Sequence, residues 1–227
     1  MKYTYEIKLD VDKDASNWFV GCNRISKGMD WKQRAPKEIV DQIHGKTEEQ
    51  AYRFLIPFLK EKYKTDKEWT NYYMAYINLE YKYKFTKACH KIAEITKKPL
   101  YRNDFTTFLT TFPRGPYNYE LGYFLWPIDW DDPIRGFMHE LLHFQFIHYW
   151  SVEGNPVGKL SDDQFDWIKE SLTVILDNDL RPLIKWPDMG YEIHSAYRQE
   201  LHKFWEKNKD FNKLVKFGLK KLPEYFK

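Results

Sequence analysis

The sequence predicts an α+β fold, mainly helical, with a small antiparallel or mixed sheet, and three observations carry that prediction. Long stretches repeat apolar residues every three or four positions, the period of a buried helix face. Two short stretches, "YTYEIKLDV" at 3–11 and "DFTTFLTTF" at 104–112, instead alternate or concentrate Thr and Phe, as strands do. No repeat or low-complexity linker divides the 227 residues, so one domain is expected. Within it, residues 1–98 read as an N-terminal strand and helical lobe, 99–180 as strands followed by two helices, and 181–227 as C-terminal helices.

The elements follow in order. After the first strand, "NWFVGCNRISKGMDW" at 17–31 reads as irregular structure punctuated by glycines. Helical character begins at Pro36, and "TEEQAYRFLIPFLKEKYK" opens on a Thr47 cap with acidic residues in the first turn. A long helix follows from a cap at Asp66, its aromatics spaced for core packing, and Pro99 closes it. "DFTTFLTTF" and "YNYELGYFLWPI" at 117–128 then predict two adjacent antiparallel strands turned by "PRGP". Asp132 caps the next helix, with Pro133 in its first position and an end near Trp150. "SVEGNPVG" is a loop, and "SDDQ" at 161–164 is a capping box opening a helix to about Asp179. "RPLIKWPDMGYE" breaks it before one or two closing helices.

Composition narrows the possible functions. Lys plus Arg exceed Asp plus Glu by only three, too little to steer a chain of this length toward nucleic acid. Cys22 and Cys89 show no spacing typical of metal knuckles or disulfide frameworks, which fits a reducing, cytoplasmic setting. Cys22, beside Gly21, reads as a small buried core residue rather than a thiolate that blocks a site. The first residues lack the pattern of a signal peptide, and no apolar run suggests an integral membrane segment. The basic C-terminal segment carries Phe211, Leu214, Val215, Leu219 and Leu222 on one face and reads as docked on the body of the protein. The oligomeric state stays open.

One stretch carries chemistry. "FMHELLHFQF" at 137–146 places His139 and His143 four residues apart on a helix, where both imidazoles reach one ion. Glu140 is rotated roughly 100° from His139, outside the ligand set, where its carboxylate is free to act as a general base on water. Phe137, Met138, Leu141, Leu142, Phe144 and Phe146 bury the helix and would hold the histidines rigidly. The plain alternative is a packed helix that contains two histidines, but burying both beside a glutamate without a shared role is expensive.

This His-Glu-x-x-His stretch resembles the signature of the zincin metallopeptidases, over a region from about Phe105 to Asp179. In the metzincin branch a glycine and a third histidine follow, but those positions hold Phe146 and Tyr149, and His148 is one residue short. The gluzincin branch, to which thermolysin belongs, takes a glutamate from the next helix. Glu170 is the acidic residue well inside "FDWIKESLTVILDND", and its plain alternative is a solvated face shared with Lys169. The resemblance therefore implies Zn²⁺ on His139, His143 and Glu170, Glu140 as general base, and a peptide or protein substrate. In the thermolysin-like version an aspartate four residues after the glutamate orients a histidine. Here that position is Val174, leaving Thr173 or Asp177 to take its part.

The resemblance also implies a sheet edge before the metal helix, along which an extended substrate lies; "YNYELGYFLWPI" stands there, or forms a plain buried hairpin. A donor to the developing oxyanion would come from Tyr191 or His194, for which a core Tyr191 and a surface His194 are the plainer readings. Two alternatives remain beside the peptidase: a zincin-like binding or regulatory protein without turnover, and a metal-free helical interaction protein.

Overall fold

The computed structural model describes residues 2–26, 29–151 and 156–226. The chain divides into two compact units built from interleaved segments. The first comprises Thr4–Glu80 and Asp104–Asp131. It holds strand β1 (Thr4–Leu9), helix α1 (Val11–Asn23), a two-stranded ribbon of β2 (Ile25–Ser26) and β3 (Met29–Asp30), helices α2 (Lys37–Val40) and α3 (Glu48–Thr65), and the start of α4 (Lys67–Thr96). Strands β4 (Asp104–Thr110), β5 (Tyr117–Asn118) and β6 (Tyr123–Pro127) complete a four-stranded sheet in the order β1-β4-β6-β5. The fold is thus mainly helical with a small mixed sheet, as the sequence predicts.

Three expectations in this unit are corrected. Helix α1 covers Asn17 to Asn23, where irregular structure is expected. Its Gly21 is needed inside the helix because a Cβ there would lie 2.1 Å from the Phe112 ring. Lys27 and Gly28 of the same stretch lie outside the described residues. Second, β4 and β6 are parallel, pairing Thr106 with Tyr123 through Thr110 with Pro127. The reversal falls at Gly122 instead of "PRGP": φ is +66° there, and β5 runs antiparallel to β6. Third, the expected edge strand is split: β6 is an interior strand with partners on both sides, and within "YNYELGYFLWPI" it is the two-residue β5 that lies at the edge of the sheet.

Polar side chains as well as apolar ones hold this unit together. Asp14 of α1 is fully buried and accepts from Thr110 Oγ1 at 2.5 Å, Tyr63 Oη at 2.6 Å, and the hydroxyl and amide of Thr111 at 2.8 and 3.1 Å. Burial raises its carboxyl pKa, against the lowering by these donors. The predicted Thr47 cap of α3 forms a reciprocal capping box with Gln50.

The second unit comprises Met1–Tyr3, Tyr81–Asn103 and Asp132–Lys227. It contains the end of α4, then α5 (Pro133–Trp150), α6 (Asp162–Leu172), α7 (Leu176–Asp179), α8 (Ser195–Asn208) and α9 (Phe211–Tyr225). Asp132 caps α5 by accepting from the Arg135 amide, and Ser161 with Gln164 forms the capping box of α6. Val152 to Asn155 of the expected loop lie outside the described residues. The helix predicted from Ser161 to Asp179 is tightened at Thr173–Ile175 into a 3-10 turn. There the Glu170 carbonyl accepts from Thr173 Oγ1 and the Arg198 guanidinium. Phe211, Leu214, Val215 and Leu222 of α9 are buried, in line with the docked reading of this segment. Among the described residues, no helix is long and apolar enough to cross a membrane.

Candidate metal centre

Helix α5 is apolar nearly all round, and its burial holds His139 and His143 on one face with ring centroids 4.3 Å apart. Helix α6 brings Glu170 to them. The ligand atoms of these three residues lie within 4.8 Å of one another. His143 Nε2 is 3.3 Å from Glu170 Oε1, and His139 Nε2 is 3.4 Å from Glu170 Oε2. Two ligands, each about 2.0–2.1 Å from one ion at a tetrahedral angle, are separated by roughly 3.3 Å, close to these two separations, and two imidazoles with a carboxylate are donors that zinc takes.

The surroundings fix what each group can do. His143 and Glu170 are buried, while the His139 side chain keeps 21% of its surface open, so the cluster is approached from the side of His139. Lys169 is buried too, its ammonium 2.6 Å from Asp166 and 3.5 Å from Glu170 Oε1. The solvated face considered for Lys169 and Glu170 is therefore ruled out. Glu140 is half-buried one residue beyond His139, and its charge favours the protonated form of that imidazole.

Sequence reasoning missed the residue that orients His139. Asp188, buried in the loop after α7, places Oδ2 2.5 Å from His139 Nδ1. This leaves Nε2 facing Glu170, the arrangement in which a carboxylate behind a histidine fixes its tautomer and ring angle. Thr173 and Asp177 act one step farther back: Thr173 Oγ1 is 3.4 Å from Asp188 Oδ1, and Asp177 accepts from the Asp188 amide at 2.6 Å. Arg198, buried in α8, donates to Thr173 Oγ1, to the Glu170 carbonyl and to the Asp188 carbonyl, tying both supporting segments together. Gly190 is required beside it, with φ +64° and a Cβ position 2.7 Å from the guanidinium. In sequence, Asp188 shows only as an acid between a proline and a Met-Gly turn, which reads equally as turn chemistry.

Comparison with protein-family models, with curated proteins and with solved structures finds no match. The reading of this centre rests on its own chemistry. Among these side chains alone, burial pulls the His139 imidazole down, but the charge and hydrogen bond of Asp188, aided by Glu170, outweigh it and hold the group up. Burial pushes His143 down despite Glu170, so its nitrogens are those of a neutral ring, as metal ligation needs. Burial would raise the Asp188 carboxyl, but His139 and Arg198 prevail and keep it well below the usual range, an anion behind the ring.

The remaining candidates fall differently. His194 is buried, its ring 4.4 Å from that of Trp167 on α6, whereas Tyr191 is half-buried with its ring 5.7 Å from His194. The expectation of a surface His194 and a core Tyr191 is corrected: the chain enters α8 through His194, which turns this ring inward. His148 is exposed against Tyr101 and Tyr149, as expected of a residue outside the ligand set. Cys22 is buried in α1, and burial pushes its thiol up to about 11, which removes the thiolate character a blocking ligand needs.

Proposed function

We propose that this protein is a zinc-dependent hydrolase of peptide bonds, with His139, His143 and Glu170 holding the ion and Glu140 as general base. The observation that carries this reading is the convergence of the three ligand atoms within 4.8 Å of one another, with His139 aimed from behind by Asp188. Bound there, zinc supplies Lewis-acid polarisation of the scissile carbonyl and brings the pKa of adjacent water toward neutrality. Glu140 would take a proton from water at the site and return it to the leaving amine. Asp188 holds the proton on His139 Nδ1, so that Nε2 keeps its lone pair directed at the ion. Arg198 and Thr173 keep Asp188 and the Glu170 backbone in place, which preserves the ligand geometry during turnover. Of the two candidate oxyanion donors, His194 is favoured over Tyr191 because it packs on Trp167, three residues before Glu170.

Activity of the purified protein on a peptide library, measured beside Glu140→Gln, tests this directly. The variant should keep its zinc and lose at least about a hundredfold in rate, the scale of a missing general base. An unchanged rate removes Glu140 from the mechanism. A second reading is favoured by one observation: His139 stands between Asp188 and Glu170, so a protonated imidazole would form an ion network without metal. That metal-free interaction protein would purify without zinc and fail to take it up.

A further inference from the structure

The "PRGP" loop, residues 113–116, reads in sequence as a simple turn, yet buried side chains hold it at several points. Asn17, only 2% exposed, grips both ends of Arg114: its Nδ2 donates to the Arg114 carbonyl at 2.8 Å, and its Oδ1 accepts from Arg114 Nη1 at 3.1 Å. The same Nδ2 lies 3.0 Å from Thr110 Oγ1, which joins this pair to the Asp14 network. Gly115 completes the anchoring, since a Cβ there would lie 2.9 Å from the Leu125 carbonyl. The contacts that set the path of the loop also hold the guanidinium in one orientation, and a planar fork recognises its partner best when it is preorganised.

Arg114 borders a cavity of about 430 Å³, within the range of small-molecule sites, lined also by Lys13, Tyr117, Tyr123 and Leu125. The Lys13 ammonium lies 4.6 Å from the centre of the Tyr123 ring and 5.0 Å from that of Phe108. Among the described residues, no carboxylate is within ion-pair distance of it. Asp12 is the one acidic side chain in the lining, so two cations less one anion leave a net charge of +1. That balance suits a monoanion better than a doubly charged phosphate, and the rings with Leu125 suit an apolar body.

We infer that this cavity binds a small carboxylate with an aromatic or branched apolar body, Arg114 and Lys13 taking the carboxylate and Tyr117, Tyr123 and Leu125 the body. The ligand chemistry is shared by free organic acids and by the C-terminus of a peptide. All these residues belong to the first unit, so the site stands independently of the metal reading.

Calorimetric titration of the full-length protein with N-acetylphenylalanine, its amide, inorganic phosphate and a hexapeptide ending in Phe tests the assignment. The acid should bind at least about tenfold more tightly than the neutral amide, as charge-assisted hydrogen bonds require. Lys13→Met and Arg114→Met should each weaken it by about tenfold or more. Lys13→Met keeps the readout valid should Arg114→Met disturb the loop, because Lys13 takes no part in the anchoring network. Hexapeptide binding as tight as that of the acid supports the site and assigns a peptide end; binding of the acid alone supports it and assigns a free organic acid. Phosphate binding as tightly as the acid overturns the carboxylate assignment, and so does an acid that fails to bind. Binding that survives Lys13→Met but disappears in His139→Ala overturns the site by placing the acid at the metal centre, while leaving the metal reading intact.

Discussion

Each unit of the molecule buries a helical carboxylate, and the two are used in opposite ways. Asp14 is 0% exposed and Glu170 is 2% exposed, so neither is hydrated. Asp14 is met by hydroxyls and an amide at 2.5–3.1 Å, ordinary hydrogen-bond distances that satisfy the carboxyl oxygens where they stand. The oxygens of Glu170 instead face two imidazole nitrogens at 3.3 and 3.4 Å. That is longer than the roughly 2.7–2.9 Å of a good charge-assisted bond, and it is close to the separation that two ligands would have on one ion. One buried carboxylate is thus met by four donors at hydrogen-bond distance, and the other faces two imidazoles and the Lys169 ammonium at a longer spacing.

The largest effect expected from this contrast is on the structural side. Asp14→Ala leaves three hydroxyls and an amide without their acceptor and should lose on the order of 3–5 kcal/mol in chemical denaturation, with zinc uptake per folded chain unchanged. Next, free zinc at a thousandfold excess over its dissociation constant should stabilise the wild type by about 4 kcal/mol. That increment should vanish in Glu170→Gln and persist in Asp14→Ala; equal increments in both variants would erase the distinction. Asp188→Asn is milder. It should weaken zinc by about 10- to 100-fold in competition with a chelator while leaving one ion per chain at saturation, since Asp188 aims a ligand without being one. An Asn variant that matches the wild type would remove the orienting role.

What the sequence revealed follows the range of the forces involved. Caps at Thr47, Asp132 and Ser161 were legible because the cap and its partner lie within one turn. The cluster of His139, His143 and Glu170 was legible for a similar reason: the first two share a helical face, and Glu170 is the acidic residue well inside its helix. The α1 helix was hidden by Gly21, whose missing side chain answers to Phe112, far away in sequence. The parallel pairing of β4 and β6 was hidden because "PRGP" has the composition of a hairpin turn, whereas Asn17 and a close approach to Leu125 set its path. Asp188 was invisible because its place depends on contacts along a loop. Asp132 accepts from the amides of Lys185 and Trp186, Arg135 donates to the Pro187 carbonyl, and Asp177 accepts from Asp188 itself.

Glu170 and the two histidines are proposed to form a binding site for a divalent cation. Zinc content per folded chain, measured by elemental analysis after reconstitution and removal of free metal, tests it most directly. One zinc per chain is expected in the wild type, with its loss in His143→Ala; a wild type that stays folded and carries no zinc would contradict the metal site.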